Sequence, residues 1–463
     1  MLKFGDTYLN FGGTYLKDWT TYLNPNPLNL PQYTIRVKYP DGVTPELKGD
    51  YAQVSQSPNI WDVTYPTTNW SRLFTRDSDL LEVLGANTSG VLNMSDMLSE
   101  CIHLSSVAYF DTSTVTDMSK IFRGCNTLSS VPKYDTNKVT NIDFMFQACE
   151  KLKDVPLFDT SNVTSMGWLF NGCEVITAIP KFNTSKVTNM NGMFGWCVKL
   201  SSVPLFDTSN VTSMVGMFGI CSSLYDVPNF NTSNVTSMES MFANCYHLSS
   251  IPLFDTSNVT NMNEMFKQCT RLSSVPLLDT RNVIIMDGMF QYCDRLNSVP
   301  QFNTTNVISM GNMFYECREI TSVPQFDTTN VKDMKSMFHR CHSLSGVPNF
   351  NTSNVTGMVG MFWDCSSMKY PPEFDTSNVT EASALFLYCD SLEVVPQYDL
   401  NKVTDVTNMF DGCRNVKSGA LDLYNQLSTR ATPPTRHNYT FRNCGIYSQT
   451  GSSELAQIPS DWK

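Results

Sequence analysis

Val211-Thr-Ser-Met-Val-Gly-Met-Phe-Gly-Ile-Cys-Ser-Ser-Leu-Tyr-Asp-Val-Pro-Asn-Phe-Asn-Thr-Ser-Asn234 is one unit of a pattern that restarts at Val235. Its single cysteine belongs to a series of fourteen, Cys101 to Cys413, spaced by 24 residues without a slip. A fixed period of this length marks a chain built from stacked copies of one small unit, none of which can bury its apolar side chains alone. About seven buried side chains at ~1.5–3 kcal/mol each stand against backbone ordering of ~1–2 kcal/mol per residue, so neighbouring units must complete the core. The expected architecture is one elongated α/β solenoid of about 13 units, capped at both ends.

Within the unit, Met214, Met217, Phe218, Cys221 and Leu224 follow the spacing i, i+3, i+4, i+7, i+10, which predicts a short helix with one apolar side. The residue before the first Met is Asp, Asn or Ser in most copies (Asp117, Asn141, Ser165, Asn189), a side chain suited to cap free backbone N–H groups. After the helix, Val227 followed by Pro228 predicts a short strand, because proline pushes its predecessor toward extended geometry and cannot itself donate to a ladder. The chain divides into a docking tail and linker at 1–32, an N-terminal cap at 33–90, the repeat array at 91–416 and a C-terminal cap at 417–463. The tail carries a short duplication, Phe4-Gly-Asp-Thr-Tyr-Leu9 and Phe11-Gly-Gly-Thr-Tyr-Leu16, before an Asn/Pro-rich linker.

Composition excludes several function classes. Only 16% of the 463 residues are charged, the net charge is −11, and Lys and Arg form no run, so the footprint of a phosphate-neutralising nucleic-acid binder is missing. No stretch reaches the roughly 20 apolar residues of a spanning helix, which argues against membrane insertion, and the N-terminus lacks the apolar core of a secretory signal. The cysteine ladder is read as free, buried thiols: no Cys-x-x-Cys occurs, and the five histidines do not cluster with cysteine at metal-ligand spacing. Asp at the turn position (Asp111, Asp207, Asp255) alternates freely with Asn (Asn183, Asn231, Asn303), which points to a side-chain oxygen capping a turn rather than to a calcium site. Asn-Val-Thr at Asn162, Asn210, Asn234, Asn258, Asn354 and Asn378 is formally a glycosylation acceptor, yet reads more simply as copies of one stacking turn. No acid, base or nucleophile set departs from the repeat, so neither catalysis nor a cofactor or metal is expected.

Positions that vary within a repeat are free of the stacking requirement and therefore available to a partner. The two residues between Phe and Cys vary most, and the aromatic residues there, Trp196, Tyr292, Tyr315, Trp363 and Tyr388, are the candidate ligand contacts. In the tail, Phe4, Tyr8, Phe11, Tyr15 and Trp19 are the candidate docking residues.

Met241-Phe-Ala-Asn-Cys245 followed by Phe254-Asp-Thr-Ser-Asn-Val-Thr-Asn-Met262 resembles the BspA-type leucine-rich repeats of bacterial surface antigens, and the likeness extends over the array. It implies a curved leucine-rich-repeat-like solenoid used in adhesion. The flanks, Met1-Leu-Lys-Phe4 and Ser452-Ser-Glu-Leu-Ala-Gln-Ile-Pro-Ser-Asp-Trp-Lys463, are similar to virion-associated proteins of phages infecting gut Bacteroidales. Together these resemblances imply a non-enzymatic virion protein made in the host cytoplasm. It would be joined to other virion proteins through residues 1–32 and present its solenoid to a host surface glycan or protein. The alternatives are a cell-surface adhesin of BspA type and an intracellular interaction scaffold.

Overall fold

A computed structural model describes residues 2–4, 7–9, 28–45 and 51–463. At the N-terminus, β1 (Leu2–Phe4) pairs antiparallel with β2 (Thr7–Leu9). Four further strands, β3 (Thr34–Lys38), β4 (Ala52–Ser57), β5 (Ile60–Thr64) and β6 (Glu82–Asn87), join β7 (Ser106–Val107) in a sheet of order β4-β5-β3-β6-β7. This sheet fuses to the array through β7, which lies parallel to β6. The coil geometry begins inside the segment read as a cap. Asn69 bridges Asn93 one period on, and Trp70 and Phe74 stand, fully buried, where later coils carry Met and Phe.

The helix expected in each unit does not form, and among the described residues 91–416 contain no α-helix. The segment from Met214 to Leu224 is instead a chain of overlapping turns. The N–H groups of Met217, Gly219, Cys221 and Leu224 bond to the carbonyls three residues back, while those of Met214, Gly216, Phe218 and Ile220 bond to carbonyls of the next coil. Half of the backbone donors thus close turns and half stack coils. Each coil carries two left-handed residues four apart, such as Gly216 (φ 59) and Ile220 (φ 66), a conformation incompatible with a continuous right-handed helix. The apolar spacing is the same as a helix's because the turns also return Met214, Met217, Phe218 and Cys221 to one side. Pitch decides between the two: helices pack about 8–10 Å apart, whereas adjacent phenylalanine rings here lie 5.3–6.0 Å apart.

The short strand is also displaced from its expected place after Leu224. Coil-to-coil pairing occurs at the residue before the first Met, as a series of single parallel bridges running from Asn69 to Glu381. Proline explains the shift. Where Ala108 replaces it, the Ala108 N–H donates to the Val83 carbonyl at 2.8 Å and the two-residue strand β7 forms.

The side chains read as helix caps still accept hydrogen bonds, now within turns. Asp117, Asn141, Asn189, Asn261, Asp333 and Asp405 each accept from the N–H two residues on. Where Ser165, Ser213 or Ser309 stands instead, an Asp or Asn of the preceding coil reaches across. Asn191 Oδ1 takes both the Ser213 hydroxyl (2.6 Å) and the Val215 N–H (2.9 Å), and Asp143 and Asp287 do the same for their successors. The turn Asp/Asn column behaves as its composition requires, for Asp207 and Asn231 alike accept the N–H two residues on. The Asn-Val-Thr amides are engaged too, Asn210 Nδ2 donating to the Ser185 carbonyl of the coil before at 2.7 Å.

All fifteen cysteines are buried and free. Each ladder thiol donates to a carbonyl of the preceding coil, that of phenylalanine in every case but Cys125, which uses Leu98; Cys221 donates to Phe194 at 3.0 Å. Burial pushes the thiols up, Cys149 and Cys221 to about 12, so they stay protonated. Cys444, which breaks the period, is the last rung. Residues 436–444 form a further coil, whose carbonyls accept from Val406, Asn408, Phe410 and Gly412. Helix α1 (Ala420–Thr429) is inserted ahead of this coil, and α2 (Gln449–Gln457) follows it. The indole of Trp462 then closes the phenylalanine column over Phe441 and His437, with the His437 ring 4.2 Å away.

Candidate functional site: the turn-lined face

The two left-handed columns define the face on which the sequence varies. Every residue just before a ladder cysteine has positive φ, including Trp196 (61), Ile220 (66), Tyr292 (61), Arg340 (58) and Tyr388 (60). That backbone turns these side chains outward, in keeping with their variability from copy to copy. Non-glycine residues in this conformation cost on the order of 1 kcal/mol, and a β-branched one such as Ile220 more. Stacking bonds on both sides hold them there: the Ile220 N–H bonds to Ala243 O at 2.7 Å.

The structure brings three of the five candidate contacts together. Tyr292, Tyr315 and Trp363 form a stair with His339: Tyr292–Tyr315 ring centroids are 5.2 Å apart, Tyr315–His339 4.5 Å and His339–Trp363 4.3 Å. His339 is 5% exposed and its Nε2 has no hydrogen-bond partner. Burial, reinforced by the neighbouring Arg340 charge, lowers its pKa to about 4, so the imidazole is neutral at physiological pH. Beside the stair runs a file of alternating charges. Glu316 accepts from Arg318 at 2.6 Å and Arg340 at 2.7 Å, and Asp364 receives His342 at 3.1 Å. Burial works against the Glu316 carboxylate, but the hydrogen bonds from Arg340 and Arg318 prevail and hold its pKa below the usual value.

Trp196 and Tyr388 stand apart from this cluster, 53% and 43% exposed. Tyr388 lies over Gly412, where an added Cβ would fall 2.4 Å from the ring. A second aromatic group escaped the sequence reading. In the other left-handed column, Phe144 and Trp168 stack at 6.3 Å with Lys120 over Phe144. The available signal was variability two residues after the first Met, equal to that before the cysteine. Of the tail candidates, Phe4 ends β1 and Tyr8 in β2 pairs with Lys3. Phe11, Tyr15 and Trp19 lie outside the described residues.

A family model described as "Mycoplasma protein of unknown function, DUF285" matches six overlapping segments, 68–178, 146–253, 168–277, 220–323, 247–347 and 320–422. This chain belongs to the DUF285 family. The DUF285 match begins where the coil geometry begins, at Asn69, and it agrees with the BspA-type resemblance of the repeat motif. The fold is a leucine-rich-repeat solenoid, although its units lack the expected helix. Among solved structures, a leucine rich cell surface protein from Faecalibacterium prausnitzii A2-165 is 20% identical, over 75% of this chain and 86% of its own, with a TM-score of 0.44. A leucine-rich repeat protein from Eubacterium ventriosum is 16% identical over 79% and 95% (TM-score 0.39), and the T. pallidum protein TpLRR 23% over 36% and 76% (TM-score 0.31). No curated protein matches. These comparisons do not support the likeness of the flanks to virion proteins. Among the described residues, no helix is long and apolar enough to cross a membrane.

Proposed function

We propose that this DUF285 chain is a non-enzymatic adhesion protein that offers its turn-lined face to a ligand on another surface and is anchored through residues 1–32. The observation that carries this reading is the set of large rings, Trp168, Trp196 and Tyr388 foremost, held outward on the turn-lined face at left-handed positions that the stacked core does not need. A stacked repeat supplies a long rigid surface, and variation along its outward columns supplies its specificity. The bacterial cell surface is the setting we favour, because the likeness over the array is to BspA-type surface proteins; attachment to a phage particle is the alternative. Peptide mass spectrometry of envelope, cytosol and purified particle fractions, with antibody labelling of intact cells, tests this reading. Envelope recovery with surface labelling is the expected result. Stoichiometric recovery in particles moves the adhesin to the virion, and recovery in cytosol alone overturns adhesion.

A further inference from the structure

The rings of the stair spend their faces on one another, since Tyr315, His339 and Trp363 sit within 4.5 Å of their neighbours in adjacent coils. A ligand reaches their edges and the Arg318 and Arg340 guanidiniums, not a flat aromatic platform. The region around Trp196 differs on each count. Trp168 covers Gly192, whose Cβ would fall 2.6 Å from the indole, and Asn171 covers Gly195 in the same way at 2.5 Å. One coil further on the cover ends: a Cβ on Gly216 would meet nothing within 4 Å, and one on Gly219 only backbone. The result is a window of bare backbone, bounded by the half-exposed indole of Trp196 at its flank and by Trp168 at its N-terminal end.

The chemistry of the window selects its occupant. In the coils ending at Cys173, Cys197, Cys221 and Cys245, the two left-handed columns and the column between them carry no charged residue. The nearest carboxylate, Glu239 on the adjoining coil, is engaged by the side-chain amides of Asn261 and Asn263 at 3.0 and 3.4 Å, and one coil further Glu264 and Lys267 neutralise each other at 2.7 Å. An extended peptide finds nothing to pair with, because the Gly216 and Ile220 N–H groups bond to the next coil and the Gly219 N–H to Gly216 O. What remains is an apolar indole face beside uncharged amides, Asn171 and Asn244, over a floor that allows close approach. That combination matches a pyranose ring, whose C–H face is apolar and whose rim is hydroxyls.

Resting on the adhesion reading, we infer that the window over Gly216 and Gly219, flanked by Trp168 and Trp196, is a subsite for an uncharged glycan, separate from the charged aromatic stair. The test uses the full chain and soluble polysaccharides: neutral β-glucan, mannan and galactan, with anionic polygalacturonate for comparison, by affinity electrophoresis and tryptophan fluorescence. Trp196→Ala is one variant. Gly216→Asn is the other, and it should fold normally because Asn312 and Asn408 occupy the equivalent left-handed position in their coils (φ 56 and 57). The expected result is binding of at least one neutral polysaccharide, weakened about tenfold or more by each variant and unchanged by Trp363→Ala. Neutral-glycan binding that both window variants leave intact overturns the site while sparing adhesion. Binding of polygalacturonate alone, or of no polysaccharide by a chain that still labels cells, overturns the ligand class.

Discussion

The coil ending at Cys221 and the coil ending at Cys341 share their core side chain for side chain, yet their outward columns have opposite character. Phe218 and Phe338 are both fully buried in one stack of rings, and Cys221 and Cys341 donate to equivalent carbonyls. Outside, the first coil shows Gly216, Gly219 and Ile220, while the second shows His339 between two aromatic rings and Arg340 on a buried carboxylate. In a solenoid of this pitch, inward positions answer to the coils above and below through stacking, and outward positions answer to them only through the turn geometry. Surface chemistry can therefore change from coil to coil without disturbing the fold.

The largest effect expected of this comparison is a similarity. Phe218→Ala and Phe338→Ala should each cost about 3–5 kcal/mol and differ little from one another in urea unfolding followed by circular dichroism. A gap of several kcal/mol would mean that the outer layer contributes to the core. Next comes pH. The unfolded His339 takes up its proton near 6.5 and the folded one only near 4. Stability around the stair should therefore fall as pH drops through that window, by on the order of 1–3 kcal/mol. Hydrogen exchange of the Cys341 coil should show the loss, the Cys221 coil should not, and His339→Phe should abolish the difference.

A smaller effect attaches to Glu316, whose carboxylate lies beneath two half-exposed arginines. Glu316→Gln should destabilise by roughly 1–2 kcal/mol, read as a drop in melting temperature. An unchanged value would reduce the charge file to a solvated surface pair. The smallest effect has the opposite sign: Ile220→Asn should stabilise by up to about 1 kcal/mol, since asparagine tolerates the left-handed region that a β-branched residue resists. Destabilisation would show that Ile220 packs against its neighbours and is not a strained surface residue.

Much of this was legible in the chain. The period announced the solenoid, the free exchange of Asp with Asn announced turn caps, and the variable residues before each cysteine announced the outward face. Phe441-Arg-Asn-Cys444 repeats the core motif, and its spacing alone kept it from being read as the last rung. The helix was misread because an apolar spacing of i, i+3, i+4 and i+7 records only which side chains face inward, and a run of turns closing every second residue satisfies it as well as an α-helix does.

Sequence by itself determined the repeat, its core and the columns free to vary, because those depend on residue identity at a fixed spacing. Tertiary structure alone decided between helix and turn, since the choice rests on the distance to the next coil, where the stacking half of the turn segment's backbone donors find their acceptors. It also decided which outward residues meet. The Tyr315, His339 and Trp363 stair and the open window at Gly216 both depend on what the coil before leaves covered, and that is a relation between residues 24 positions apart.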